Sequence, residues 1–141
     1  MKFLILLALL SIPATFYEQS SEEVVHDFFK ALNQKDIQAI DSVTIDDLKL
    51  HSFQPETVPS FNTSTKKDFI DGLKAIPANM SFEEKIFDIK SIETEYLAQY
   101  TVPYKFFING ELSHFGTNVL TLIKKDNQWM ISYIADTRIK P

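Results

Sequence analysis

The sequence predicts an α+β domain in which two or three helices pack on a curved antiparallel sheet. Three observations carry this. Apolar residues recur at helical spacing as far as Ile76 and at a period of two afterwards. Two dipeptides, Asn109-Gly110 and Asp126-Asn127, sit between the later runs where hairpin turns belong. The helices precede the strands rather than alternating with them, which separates α+β from a βαβ arrangement.

The elements follow in chain order. Ser20 to Glu23 spells a capping box, and Val25, Phe28, Phe29 and Leu32 form one apolar stripe behind it. Asn33-Gln34-Lys35 breaks that helix. Asp36 caps a short second one carrying Ile37, Ile40 and Val43. Leu48 to Phe53 reads as a short strand, and Gln54 to Ser64, with Pro55 and Pro59, as a loop. Thr65 with Asp68 starts a third helix whose Phe69, Ile70, Leu73 and Ile76 share a side, and Pro77 ends it. Strands are expected near 82–92, 95–108, 111–124 and 128–139. Pro103 cannot donate to a ladder, so it marks an edge or a bulge.

Residues 1–16 read as a signal peptide, leaving a single domain at 17–141. Lys2 is the positive start, Phe3 to Leu10 the apolar run, and Ser11-Ile12-Pro13-Ala14 the small-residue exit. The run is far shorter than the roughly 20 residues a spanning helix needs. An exported, periplasmic or secreted protein without membrane attachment after processing is therefore expected. Without Lys2 the chain carries 13 basic and 19 acidic side chains, with no basic cluster, which argues against nucleic acid as a partner. Cysteine is absent, which excludes thiol catalysis, thiolate metal sites and disulfides. Glycines stand only at 72, 110 and 116, too few for a phosphate loop, and no G-x-S-x-G elbow occurs. Three scattered histidines lack metal-ligand spacing, so no metal and no cofactor are expected.

Two-residue turns fix register. Asn109-Gly110 sets Ile108 opposite Glu111 and, with no bulge, Thr101 opposite Asn118. Asp126-Asn127 sets Leu122 opposite Ile131 and Asn118 opposite Ala135. One face then carries Leu97, Gln99, Thr101, His114, Asn118, Leu120, Leu122, Trp129, Ile131 and Tyr133. Apolar residues lie at one end and polar groups in the middle, as in a small-molecule pocket. No carboxylate falls on this face. The opposite face, with Tyr100, Val102, Tyr104, Phe106, Phe115, Val119 and Ile134, is too apolar for water, and a second subunit is expected to cover it.

His114 is the leading candidate on the pocket face, as a ligand contact or general base. The competing reading is a structural histidine bonded to Thr101, Asn118 or backbone. Asn118 and Thr101 would orient polar atoms of a ligand, and Tyr133 would assist. Trp129 would line the apolar end, and His51 would reach the mouth. Asp136 and Arg138 share a strand face, where an ion pair is the plainer reading.

The block from Tyr104 to Gly116, YKFFINGELSHFG, resembles one in small exported bacterial proteins of the nuclear-transport-factor-2-like superfamily, in its SnoaL-like or lumazine-binding branch. Val102-Pro103-Tyr104, Trp129-Met130-Ile131, Asp136-Thr137-Arg138, Ala31 to Asp36 and Leu48 to His51 resemble that family too. Phe115 departs from the small or thiol residue expected there. The resemblance implies a cone-shaped fold, with N-terminal helices packed in the concave face of a strongly curved antiparallel sheet. It also implies pairing through the outer sheet face.

Three functions are compatible with this reading. The first is a non-catalytic domain binding a small hydrophobic or aromatic ligand. The second is an isomerase, cyclase or dehydratase with His114 as base. The third is a dimeric scaffold. The missing carboxylate favours the first, since acid–base work needs a base with an orienting partner.

Overall fold

The computed structural model describes residues 17–56 and 58–141. The signal-peptide expectation for 1–16 therefore lies outside the described residues. Helix α1 (Ser21–Gln34) opens with the expected box: Glu23 N donates to Ser20 Oγ (3.2 Å) and Ser20 N to Glu23 Oε2 (2.8 Å). Val24, Val25, Phe28, Phe29, Ala31 and Leu32 are its buried stripe. Lys35, in the left-handed region at φ 53°, ends it by donating its N–H back to Ala31 and Leu32. Asp36 then caps α2 (Ile37–Ser42), and Thr65 caps α3 (Lys66–Lys74). Helix α3 stops three residues before Pro77.

The strands are β1 (Thr44–Gln54), β2 (Ser60–Thr65), β3 (Phe82–Ile86), β4 (Lys90–Glu93), β5 (Leu97–Ile108), β6 (Glu111–Lys125) and β7 (Gln128–Thr137). They form one seven-stranded sheet in the order β2-β1-β7-β6-β5-β3, with β4 also on β5. The sheet is curved and unclosed, and its concave side receives the helices. All pairings are antiparallel except β1 with β7, which are parallel. Two departures from expectation concern the first half. The presumed loop after Gln54 contains β2, and β1 runs longer than 48–53. A third concerns 82–92, which splits into β3 and β4. The split lies opposite Val102 and Pro103, where Phe87 N donates to Pro103 O (3.1 Å) and proline's missing donor goes unneeded.

Both hairpins form as expected, with Asn109 and Gly110 at φ 49° and 84° and Asp126 and Asn127 at 52° and 61°. The register between them does not. Ser113 is an extra residue in β6, between Phe107↔Leu112 and Phe106↔His114. Ser132 is an extra residue in β7, between Leu122↔Ile131 and Thr121↔Tyr133. Each bulge moves the pairing by one position, and side chains alternate with period two, so faces exchange beyond it. Asn118 pairs with Val102 and Asp136, not with Thr101 and Ala135. Ala98, Tyr100 and Val102 consequently join Leu120, Leu122, Trp129, Ile131 and Ile134 in the buried core with the α1 stripe, and Tyr104 is buried on the same side of β5.

Gly116 marks a close approach. A Cβ there would sit 1.9 Å from the Thr137 carbonyl oxygen. That carbonyl also accepts from Tyr104 Oη at 2.8 Å, so it is held in place. Gly116→Ala is expected to cost roughly 2–3 kcal/mol through forced displacement of the end of β7, read as a lower urea midpoint at unchanged slope.

Candidate functional site

A cavity of about 110 Å³ opens between α1, α3 and the concave sheet. Phe28, Phe29 and Leu32 of α1, Phe69 of α3, Leu50 of β1 and Ile134 of β7 make its apolar wall. Ser52, Ser64, Glu84, Asn118, Asp136 and Arg138 supply polar groups. The cavity is smaller than the roughly 150 Å³ that takes benzene, so the space holds a short branched chain, or a ring that reaches in through the opening and stays partly outside. A larger cleft of about 610 Å³ lies elsewhere, beside Tyr17, Ser42 and the β6–β7 turn. Its carboxylates Glu18 and Asp27 are exposed, and Glu18 pairs with Lys124. It gathers no buried polar groups, so the smaller cavity is the better site.

Each polar group reaches the cavity for a local reason. Glu84 is on β3, and Phe82, Glu84 and Ile86 alternate inward. Asn33 of α1 holds that strand by a two-way bond: Glu84 N donates to its Oδ1 (2.7 Å) and its Nδ2 to Glu84 O (3.0 Å). Asn118 Nδ2 donates to Glu84 Oε1 at 2.7 Å. Asp136 turns inward because of the Ser132 bulge. Its carboxylate accepts from Ser52 Oγ and from Arg138 Nε (2.9 Å). Tyr104 Oη, 2.8 Å from the Thr137 carbonyl, also lies 3.4 Å from Asp136.

Burial dominates the electrostatics. It pushes the Glu84 carboxyl up to about 7, with the Asp136 charge adding to the rise and Asn118 and Arg138 opposing it. Asp136 is hydrogen-bonded by the Arg138 guanidinium, whereas Glu84 is hydrogen-bonded by an amide and feels Arg138 only through space. Burial likewise raises the Tyr104 phenol, keeping it a donor. It lowers His114, and Arg138 lowers it further against Asp136, so the imidazole is neutral near pH 7.

The residues expected from the sequence are not one cluster. Asn118 lines the cavity. His114 is on the concave side but outside it, stacked on Phe106 at 4.7 Å and edge-on to Tyr104 at 5.8 Å. It lines an adjoining recess of about 130 Å³ with Ser113, Gln54, Glu56, Lys140 and Arg138, and Arg138 borders both spaces. Thr101 is exposed on the outer face, because the Ser113 bulge gives its expected place to Val102. Tyr133 is also outside, displaced by the Ser132 bulge. There its hydroxyl meets His51 Nδ1 at 2.9 Å, with Phe61 5.1 Å from the His51 ring. His51 thus lies away from the cavity mouth. Trp129 is buried in the core at the far end and does not line the cavity. The expectation of a pocket face without carboxylates is overturned by Glu84 and Asp136. One signal pointed to Glu84: a carboxylate at the centre of the alternating set Phe82, Glu84, Ile86. Asp136 and Arg138 do form an ion pair as expected, with Arg138 one residue past the end of β7. Among the described residues no group of three His, Cys, Asp or Glu can hold a metal ion, and no helix is long and apolar enough to cross a membrane.

The raised Glu84 value has a stability consequence. Between its ordinary 4.5 and about 7 the folded protein keeps a proton that the unfolded chain has lost. Stability is thus highest below the ordinary value and falls as pH rises toward 7, by on the order of 3 kcal/mol. Glu84→Gln keeps the acceptor for Asn118 and removes the titration. Urea unfolding from pH 5 to pH 8 is expected to show that decline in the parent protein and a nearly level profile in the variant.

Comparison with known proteins places the fold. The structure matches a nuclear-transport-factor-2-like protein from Cytophaga hutchinsonii at TM-score 0.67 and 14% identity, over 84% of this chain and 94% of that one. A conserved protein from Planctomyces limnophilus matches at 0.68 and 14%, over 85% and 94%. A nuclear-transport-factor-2-like protein of unknown function from Shewanella baltica matches at 0.61 and 10%, over 84% and 90%. No curated protein matches the sequence. Such identities speak for the fold alone: a nuclear-transport-factor-2-like cone. Residues 22–134 match the family described as "Domain of unknown function (DUF4829)", and the chain belongs to that family.

Proposed function

We propose that this protein is an exported domain that binds a small, partly apolar molecule in the cavity between α1, α3 and the concave sheet. The observation that carries the reading is the cavity itself: an aromatic wall facing Glu84, Asn118, Ser52, Asp136 and Arg138. Buried polar groups are costly to hold in an apolar setting, and a ligand whose polar atoms complement them recovers part of that cost. The signal-like segment at 1–16 and the likeness to the SnoaL-like or lumazine-binding branch support export. Exposed Phe53, Phe61, Phe115 and Ile139 support a homodimer paired through the outer face. The reading with His114 as catalytic base is weaker, because His114 sits in the adjoining recess and, among the described residues, its ring is bonded to Ser113 Oγ (3.2 Å) rather than to a carboxylate.

The test is a fragment screen by thermal shift, with the Asn118 side-chain amide followed by NMR. Ser64 lines the cavity on β2 and makes no side-chain hydrogen bond among the described residues, so Ser64→Leu fills space without breaking a network. Bound fragments are expected to move the Asn118 resonance and raise Tm in the parent protein and to do neither in Ser64→Leu. Fragments that bind both proteins equally would place binding elsewhere.

A further inference from the structure

The cavity is one positive charge short. Two carboxyl groups, Glu84 and Asp136, face it, and Arg138 is the only cation lining it among the described residues. Arg138 is bonded to the other carboxylate: its Nε donates to Asp136 at 2.9 Å, and it reaches Glu84 only through space. Asp136 is further held by Ser52. The other groups around Glu84 are neutral. Asn118 gives it one amide hydrogen bond, Tyr104 stays protonated, and α1 and α3 present Phe28, Phe29, Leu32 and Phe69. An ionised Glu84 therefore has no cationic partner of its own, and an anionic ligand would meet Asp136 as well as Glu84.

We propose that the cavity selects a small organic cation, a primary amine on an aromatic or branched aliphatic body, and that Glu84 is the carboxylate that receives it. This rests on the cavity being a ligand site and adds the class of ligand. The body fits the phenylalanine wall, and the ammonium supplies the missing charge and up to three donors to Glu84, Ser52 and Ser64. Glu84 is protonated in much of the empty protein below neutrality. Binding an ammonium there expels that proton. Apparent affinity for the amine then rises with pH and levels off above about 7, an increase of roughly tenfold from pH 6 to pH 8. Asp136 on β7, Arg138 just past its end, Tyr104 on β5 and His114 on β6 are the other charged or titratable groups near Glu84. The Asp136–Arg138 pair stays intact in this exchange.

Three probes of one size decide the matter: benzylamine, benzyl alcohol and benzoate, titrated calorimetrically into the purified protein and into Ser64→Leu. Benzylamine is expected to bind tightest and to lose binding in Ser64→Leu. At pH 6 its heats in phosphate and in Bis-Tris should differ by the release of nearly one proton, and at pH 8 its heats in phosphate and in Tris should nearly agree. Glu84→Gln should weaken benzylamine at least tenfold and benzyl alcohol by much less. The proton release needs no variant, so it holds as a test even if Glu84→Gln misfolds. If benzyl alcohol or benzoate binds in the cavity as tightly as benzylamine, or benzylamine binds without proton release, the amine inference fails and the ligand site stands. If none of the three binds, both fail.

Discussion

Two serines that make no contact with any proposed ligand decide what the concave face contains. Ser113 and Ser132 each add one residue to a strand whose partner has none to match it. Because strand side chains alternate strictly, one added residue exchanges inside and outside for all that follows. The first bulge brings Tyr100, Val102 and Tyr104 to the buried side and leaves Thr101 outside. The second brings Ile134 and Asp136 inside and leaves Tyr133 and Ala135 outside. Bulges also strengthen local twist and bend the strand. The same two residues therefore help curve the sheet around the helices and choose which side chains meet in the space it encloses.

Local signals account for what was legible. The capping boxes at Ser20 and Thr65, the helix break at Lys35 and both two-residue turns are written in contiguous residues, and they formed where expected. The inward set on β6 was also legible, because His114, Asn118, Leu120 and Leu122 are counted along one strand. What failed was transfer of that count across a strand pair. A serine bulge in a strand rich in Ser and Thr carries no local mark. A proline does, and Pro103 drew the expectation of irregularity toward itself. Its effect was the β3–β4 break at the sheet edge. The parallel pairing of β1 with β7 joins segments about eighty residues apart, and no turn announces it.

The site was legible only in part for the same reason. Asn118 is inward by β6 counting, whereas Asp136 becomes inward only through Ser132. Glu84 lies in a short strand, where a single carboxylate in an alternating run reads as either a solvent-facing edge or a buried group. Its partner Asn33 sits 51 positions away at the end of α1, in a stretch read only as a helix break. That asparagine satisfies both the N–H and the carbonyl of Glu84, which leaves the side chain as the one part of the residue not fixed by backbone pairing.

The two carboxyl groups show how placement alone divides chemical roles. Asp136 is in β7 and Arg138 follows its last residue, two positions on, so the extended chain keeps both on one side and lets the guanidinium reach back to the carboxylate. Gly116 lets the Thr137 carbonyl come close, and Tyr104 donates to it, so this end of β7 is held on both sides. Asp136 is thereby matched by a residue two positions along its own chain. Glu84 approaches from the other side of the cavity, on a strand whose nearest basic residue, Lys85, points to the opposite face. No rotation of Lys85 crosses the sheet to reach it. The fold supplies a cation to one carboxyl and withholds it from the other, and in an apolar enclosure that difference is expressed as a held proton. The cost is a domain that loses stability as pH rises toward 7. A well-packed hydrophobic residue at position 84 would avoid it, so the carboxyl is best understood through what enters the cavity rather than through what holds the cone together.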